Sequence, residues 1–119
     1  MELVSIITPC YNSAKYIGQM IESIQAQTYK NWELLITDDC STDNSKDVVM
    51  SYAEKDSRVK YFKLPQNSGA GIARNNSIEK AAGRYIAFCD SDDMWKAEKL
   101  EKQIQFMQDN NYEFCHCYT

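Results

Sequence analysis

The most informative stretch of this sequence runs from Tyr85 to Trp95 and reads Tyr-Ile-Ala-Phe-Cys-Asp-Ser-Asp-Asp-Met-Trp. Its first half is apolar and aromatic, which is typical of a strand buried on both faces of a sheet. Three carboxylates, those of Asp90, Asp92 and Asp93, follow directly. Carboxylates this close repel one another, so a cation or hydrogen-bonding ligand would stabilise them. Because ligands of α/β sheets bind at the carboxyl ends of strands, we expect a divalent-metal site that holds a phosphorylated ligand. A simple strand-to-helix turn with a capping aspartate is the alternative.

The rest of the chain alternates strand-like and helix-like segments. Apolar, β-branched runs predict strands at residues 3–8, 32–37, 59–64, 84–89 and 112–118, with helices between them that include residues 72–82 and 96–109. We expect Pro9 to end the first strand, Asn12 or Ser13 to cap the first helix, and Gly83 to cap the third helix in the left-handed conformation. This order of elements predicts one domain over residues 1–119, a three-layer α/β/α fold with a mostly parallel sheet.

Composition excludes several classes of function. A net charge of −4 without a basic block argues against binding to nucleic acid. No apolar run approaches the roughly 20 residues that span a bilayer, and the N-terminus reads as a strand rather than a secretory signal. The five cysteines show no Cys-x-x-Cys pair, which favours reduced thiols and a cytoplasmic protein. His116 lies between Cys115 and Cys117, but neighbours in a strand point to opposite faces, so we expect no zinc site there.

Nearly every unusual polar residue follows a predicted strand. Thr8, Pro9 and Tyr11 follow the first strand, and Asp38 and Asp39 follow the second. The glycine loop (residues 66–71) and Arg74 follow the third, and Asp90, Ser91 and Asp92 follow the fourth. Since the carboxyl ends of parallel strands meet at one edge of a sheet, we expect these side chains to lie close together. Each residue also has a simpler alternative. Thr8 and Pro9 could merely end the strand, Asp38 and Asp39 could cap a loop, and Tyr11 could pack over the first helix. Arg74 could form a weak surface ion pair. The convergence favours a ligand site.

Four blocks carry a resemblance to a known family. They are residues 4–12 (Val-Ser-Ile-Ile-Thr-Pro-Cys-Tyr-Asn), Gln27-Thr28-Tyr29 with residues 32–43, Asn67-Ser68-Gly69 with Ala73-Arg74-Asn75, and residues 85–95 with their Asp-x-Asp motif. Together these blocks resemble the family 2 glycosyltransferases, which have the GT-A fold of nucleotide-diphospho-sugar transferases. The blocks occur in the family's order and cover almost the whole chain.

The resemblance implies a nucleotide-diphosphate sugar as donor, most often a UDP-sugar, and an inverting transfer to a saccharide or lipid-linked saccharide acceptor. It implies that Thr8, Pro9 and Tyr11 line the base and ribose pocket, and that Asp39 with Asp38 accepts hydrogen bonds from the base. It places Arg74 near the base or phosphates. It also implies that Asp92 and Asp90 bind Mn²⁺ or Mg²⁺, and that Asp90 or Ser91 reaches the ribose. Carboxylates suit these roles, because they accept hydrogen bonds from a base imide and are hard ligands for such cations. The cation would neutralise charge on the diphosphate leaving group.

In the family the general base and most acceptor contacts follow the Asp-x-Asp strand. We therefore expect residues 1–119 to be the donor-binding half of a longer enzyme, with the catalytic base beyond Thr119, and to bind nucleotide without transferring sugar. The longer enzyme is expected to build surface or exopolysaccharide at the inner face of the membrane, with peripheral membrane association. A predicted edge strand at residues 112–118 would allow a homodimer or aggregation.

Three other functions fit parts of the pattern. A receiver domain would need an acid pair after the first strand and a lysine after the fifth, and neither occurs. A sugar nucleotidyltransferase would need a glycine- and arginine-rich phosphate loop where this chain has Pro9-Cys10-Tyr11-Asn12. A non-catalytic module that binds a nucleotide sugar and a metal needs no general base and remains the main alternative.

Overall fold

The computed structural model describes residues 2–109 and a short strand at residues 114–115. Its elements are β1 (Val4–Cys10), α1 (Ile17–Gln25), β2 (Trp32–Asp38), α2 (Ser45–Ala53), β3 (Val59–Lys63), α3 (Ala70–Lys80), β4 (Tyr85–Phe88), α4 (Lys99–Asp109) and β5 (Phe114–Cys115). They form a sheet of order β3-β2-β1-β4-β5, in which every pairing between the described strands is parallel. The predicted α/β fold is confirmed.

Helices cover both faces of the sheet because the strands are apolar on both. Ile6 and Leu34 lie on one face, in a single core with buried residues of α1, α2 and α4. Residues of the other face contact α3, where the Ser77 hydroxyl donates to the Leu35 carbonyl at 3.0 Å and lies 2.7 Å from the Thr37 hydroxyl. The site therefore rests on a sheet that is held from both sides.

Pro9 does not end β1, which continues to Cys10 with Pro9 paired beside Thr37. The prediction failed because alternate residues of a central parallel strand bond to different neighbours. The Ile7 carbonyl accepts from Cys89 on the β4 side, whereas the Cys10 carbonyl accepts from Asp39 on the β2 side. Pro9 therefore faces β4, which ends at Phe88, and its missing N–H breaks no ladder bond.

Gly83 is not a left-handed helix cap, because α3 ends at Lys80 with Ala81 as its C-cap. Within residues 2–109, Gly69 is the glycine with a positive φ, at 98°. Gly83 instead lies against β1. A Cβ atom there would be 2.7 Å from the Ser5 nitrogen and 2.8 Å from the Leu3 carbonyl oxygen, so close backbone approach explains the glycine.

Several predicted boundaries shift by a few residues. Neither Asn12 nor Ser13 caps α1, because the Ser13 carbonyl closes a turn with the N–H groups of Tyr16 and Ile17 and the helix begins at Ile17. Helix α3 begins at Ala70 and α4 at Lys99. Of the predicted fifth strand, residues 114–115 are confirmed, and residues 112–113 and 116–118 lie outside the described part. No helix among the described residues is long and apolar enough to cross a membrane.

A buried acid joins the elements at the amino edge of the sheet. Glu33 Oε2 accepts hydrogen bonds from the Ser5 hydroxyl at 2.6 Å and the Ala82 N–H at 2.8 Å, and Glu33 Oε1 lies 3.1 Å from Lys60 Nζ. Burial alone would raise the pKa of Glu33, but these donors outweigh it and hold the pKa below its usual value. The ionised carboxylate is therefore part of the folded state.

The Glu33→Gln variant is expected to lose about 2 kcal/mol of unfolding free energy at pH 7, since hydrogen bonds to a charged group are lost. Because the folded-state pKa is lowered, this contribution is present above the unfolded-state pKa and is lost as the pH falls through the folded-state pKa. Urea unfolding of both proteins at several pH values between 7 and 3 checks this. A difference that does not shrink towards acid would contradict it.

Candidate functional site

A cleft of about 450 Å³ opens at the carboxyl edge of the sheet. The loops after β1, β2 and β4 form its walls together with the start of α3, which is where ligands bind in open α/β folds. Its lining consists of Pro9, Cys10, Tyr11, Asn12, Ser13, Tyr16, Asp39, Ala70, Arg74, Asp90, Ser91 and Asp92. Seven residues of the predicted site are among them: Pro9, Tyr11, Asp39, Arg74, Asp90, Ser91 and Asp92. The predicted convergence of polar residues is thus present.

Thr8 and Asp38, by contrast, do not line the cleft. Thr8 is fully buried, and its hydroxyl finds no hydrogen-bond partner among the described residues. The Asp38 carboxylate accepts from the Ser41 N–H at 2.9 Å, from the Ser41 hydroxyl and from the Tyr61 hydroxyl, the last two at 2.5 Å. Burial, and then the Asp38 charge, raise the pKa of Tyr61, so its hydroxyl remains a donor. In this structure Asp38 fixes the loop after β2.

Asp39 is buried and holds the glycine loop that precedes α3. Its Oδ1 accepts the Ser68 N–H at 2.6 Å and its Oδ2 accepts the Gly69 N–H at 2.8 Å. The Asn67 side chain also donates to the Asp39 carbonyl at 3.2 Å. Each carboxylate oxygen has a second lone pair, so the group can still accept from a ligand in the cleft.

The loops after β1 and β2 form one wall through side-chain caps. Asn12, at a positive φ of 49°, accepts the N–H groups of Thr42 at 2.8 Å and Asp43 at 3.3 Å on its Oδ1. In return, the Ser41 hydroxyl accepts the Asn12 N–H at 2.8 Å, and the Asp43 carboxylate accepts the Ala14 N–H at 3.2 Å. A wall bonded in both directions holds its shape before any ligand arrives.

Residues 90–93 form a closed turn, named here the acid turn. The Asp93 N–H donates to the Asp90 carbonyl at 3.0 Å, and the Asp90 N–H donates to Asp93 Oδ2 at 3.1 Å. The side chain of Asp93, which closes the turn, is buried, whereas Asp90 and Asp92 are exposed at the cleft. Arg74 Nη2 lies 3.5 Å from Asp90 Oδ1, and the two side chains are 40% and 57% exposed, so their attraction is weak.

The acid turn fits a divalent cation that takes some of its ligands from the protein and the others from a substrate. Within residues 2–109 and 114–115 there is no group of three or more His, Cys, Asp or Glu side chains that could hold a metal by themselves. Mg²⁺ and similar ions are commonly bound by one or two carboxylates plus phosphate oxygens. The exposed carboxylates of Asp90 and Asp92 match that requirement, and Asp93 does not, because its carboxylate closes the turn.

Five lining residues were not predicted: Cys10, Asn12, Ser13, Tyr16 and Ala70. Burial raises the pKa of the Cys10 thiol, and the nearby Asp38 adds to this, so Cys10 is a neutral part of the wall. Ser13 Oγ lies 2.7 Å from Ser91 Oγ and thereby joins the β1 loop to the acid turn. The sequence indicated Ser13 only as a possible helix cap and not as a site residue. Tyr16 could have been suspected because it is an aromatic residue in a polar segment, and in the structure it is 48% exposed.

Comparisons with known proteins agree with this geometry. Residues 5–118 match the sequence model of glycosyl transferase family 2. The chain is 48% identical over 112 residues to TuaG of Bacillus subtilis, whose name describes a teichuronic acid biosynthesis glycosyltransferase; the match covers 94% of this chain and 44% of TuaG. It is also 48% identical over 114 residues to the Escherichia coli UDP-Glc:alpha-D-GlcNAc-diphosphoundecaprenol beta-1,3-glucosyltransferase WfgD, covering 96% of this chain and 44% of WfgD.

A solved structure gives the same result. S. aureus TarS in complex with UDP-GlcNAc is similar with a TM-score of 0.84 and 34% identity, over 93% of this chain and 32% of the TarS chain. The chain thus spans less than half the length of these relatives. The family match covers nearly all of it, and its fold is similar to that of TarS. This chain therefore belongs to glycosyl transferase family 2.

Proposed function

We propose that this chain forms the donor-binding part of an inverting, divalent-metal-dependent glycosyltransferase. The reaction transfers a sugar from a UDP-sugar to a saccharide or lipid-linked saccharide acceptor in the synthesis of surface or exopolysaccharide. The observation that carries the proposal is the cleft itself, which places an aromatic wall, a buried carboxylate, a guanidinium and two open carboxylates at one sheet edge. These groups match the base, the phosphates and the metal of a nucleotide sugar.

The end of the cleft near β1 and β2 suits the nucleoside. Tyr11 is 49% exposed, so its ring can stack on a base, and Pro9 supplies apolar surface beside it. Asp39 would accept a hydrogen bond from the imide N–H of uracil with a lone pair that the glycine loop does not use. Because the wall is already held by its own hydrogen bonds, little ordering is needed when the base binds.

The end of the cleft near β4 suits the diphosphate. Arg74 presents guanidinium donors, which match phosphate oxygens in geometry and charge. Asp92 and Asp90 would hold Mn²⁺ or Mg²⁺, and the bound ion would offset the charge that develops on the diphosphate leaving group. Asp90 or Ser91, which both line the cleft, would reach the ribose.

The named relatives support this choice of substrates. WfgD is named for UDP-glucose and for a diphosphoundecaprenol-linked GlcNAc, and the TarS structure holds UDP-GlcNAc. At 48% and 34% identity these proteins share the cleft-forming part of the fold with this chain. A uridine diphosphate sugar and a lipid-linked acceptor are accordingly the first substrates to test.

Isothermal titration of UDP into the chain, with Mn²⁺ and then with EDTA, tests the proposal. Binding that Mn²⁺ strengthens would support a donor site with a metal at the acid turn. Equal binding in both buffers would remove the metal from the proposal and leave a nucleotide site. No binding of UDP, with binding of guanosine, thymidine or cytidine diphosphate, would replace the base, and binding of none of them would refute the proposed function.

We expect the chain to bind donor without transferring sugar. Among the described residues, the carboxylates that line the cleft are those of Asp39, Asp90 and Asp92, and all three are assigned to the donor. No described carboxylate of the cleft is therefore left to deprotonate an acceptor hydroxyl. Incubation with radiolabelled UDP-glucose and a lipid-linked GlcNAc acceptor should give no labelled product. Labelled product above the level without protein would contradict this expectation.

A further inference from the structure

Gln27 and Thr28 do not line the cleft, yet they hold the chain that leaves the acid turn. The Gln27 side chain is fully buried. Its Nε2 donates to the Lys96 carbonyl at 2.8 Å and to the Ser23 carbonyl at 3.1 Å, and its Oε1 accepts the Leu100 N–H at 3.0 Å. One amide thus uses both of its ends on backbone groups some 70 residues away in the sequence (69 and 73 residues, respectively).

Neighbouring residues extend the same attachment. The Thr28 N–H donates to the Ala97 carbonyl at 2.8 Å, and the Thr28 hydroxyl donates to Glu101 Oε2 at 2.7 Å. Closer to the acid turn, the Trp95 N–H donates to the Ser23 hydroxyl at 3.2 Å. The exit from the acid turn is therefore bonded to the end of α1 and the residues that follow it.

The entry to the acid turn is held separately, by the pairing of β4 and the residue after it with β1. The Cys89 N–H donates to the Ile7 carbonyl at 3.0 Å, and the Asp90 and Asp93 N–H groups close the turn itself. A turn fixed at its entry alone could still rotate its exposed carboxylates. Because both ends of the acid turn are fixed, the turn presents Asp90 and Asp92 to the cleft, which both residues line. Leu100 is also in the first turn of α4, so the Gln27 amide satisfies one of that helix's unpaired N–H groups from outside the helix.

We propose that Gln27, supported by Thr28, is a positioning residue for the acid turn: it anchors residues 95–100 and so holds Asp90 and Asp92 in the geometry that binds a cation and a diphosphate. The claim that the acid turn binds a cation and a diphosphate rests on the proposed function. The claim that Gln27 holds the turn rests only on the hydrogen bonds described above. Loosening the anchor should therefore weaken the metal-dependent part of donor binding more than the binding of the base.

The test compares wild type with Gln27→Met, which keeps the length of the side chain and removes its hydrogen bonds. Thr28→Val is the milder second variant. Thr28 is exposed, so the loss of its hydroxyl should not affect folding. Ser77→Ala is the matched control, because it removes buried hydrogen bonds from the opposite face of the sheet. Amide hydrogen exchange is measured without nucleotide or metal, with the Leu34 amide of β2 as the reporter of global opening.

In Gln27→Met we expect the Asp93 and Trp95 amides to exchange about tenfold faster relative to Leu34, and in Thr28→Val a few-fold faster. Ser77→Ala should leave that ratio unchanged. In titrations with Mn²⁺, the Kd for UDP should rise about tenfold in Gln27→Met and stay within twofold in EDTA, since only the acid turn is disturbed.

An unchanged exchange ratio in Gln27→Met overturns the proposal, and so does an equal loss of UDP affinity in both buffers. The exchange measurement needs no ligand, so it decides the positioning role even if wild type binds no uridine nucleotide. A wild type that fails to bind would refute the proposed function alone.

Discussion

The Asp92→Asn variant is expected to bind UDP in Mn²⁺ no more tightly than wild type does in EDTA, a loss of at least tenfold if the metal contributes about 1.4 kcal/mol or more. Asp92 is exposed at the cleft and takes no part in closing the acid turn, which Asp90 and Asp93 close. The substitution removes one negative charge and one hard ligand and leaves the turn intact. Titration with UDP in both buffers measures the effect.

The control for the lost charge is Glu79→Gln, an exposed acid on α3 outside the cleft. It should leave both Kd values unchanged. The melting temperatures of the two variants should match wild type within about 2 °C, because surface substitutions usually change stability by less than about 0.5 kcal/mol. If Asp92→Asn retained the full gain from Mn²⁺, the metal would have to be held elsewhere, and the assignment of Asp92 would be wrong.

The Asp39→Asn variant is expected to lose UDP affinity with and without metal, by more than tenfold, and to lose about 2–3 kcal/mol of unfolding free energy. The carboxylate receives one backbone N–H on each oxygen, from Ser68 and Gly69. An amide of the same shape must turn its NH₂ group towards one of these donors, which leaves two donors facing each other in a buried place. The glycine loop and the start of α3 should then move.

Asp56→Asn is the matched control for the stability loss. Asp56 accepts hydrogen bonds from Arg58, which lower its pKa to about 2, and it precedes β3 at the opposite edge of the sheet. Its loss should destabilise the protein without changing the Kd for UDP. Urea unfolding and titration on both variants separate the two effects. Unchanged UDP affinity in Asp39→Asn would show that the base does not depend on this carboxylate or on the loop it holds.

Sequence patterns predicted the sheet and the edge at which the cleft forms, because both follow from periodicity and chain direction. A buried strand followed by Asp90, and another followed by Asp38 and Asp39, must present these acids at the same edge. The patterns could not tell which of two adjacent acids faces the cleft. Asp38 ends β2 and is bonded to Tyr61 and Ser41, so the difference from Asp39 depends on partners in other elements.

The predictions that failed concern contacts between distant parts of the chain. Proline and glycine have strong local meanings, and these led to the wrong roles for Pro9 and Gly83. In the structure, Pro9 is tolerated because β4, the strand that it faces, has already ended. Gly83 is needed because a Cβ atom at this position would collide with the backbone of β1. Gln27 and Ser13 were missed for the same reason, since their partners are about 70 to 80 residues away. A local pattern carries no information about such pairs.

The strand order also bears on how the protein matures as it is synthesised. β1 lies between β2, which follows soon after it, and β4, which begins at Tyr85. Ser13 and Ser91, which join the two sides of the cleft, are 78 residues apart in the sequence. Since domains emerge from the ribosome N-terminus first, β1 to β3 can pair while β4 is still inside the exit tunnel. A nascent chain at that stage has the loops after β1 and β2 but no acid turn. Under the proposed function, it would not bind a nucleotide sugar together with its metal until the segment held by Gln27 has emerged.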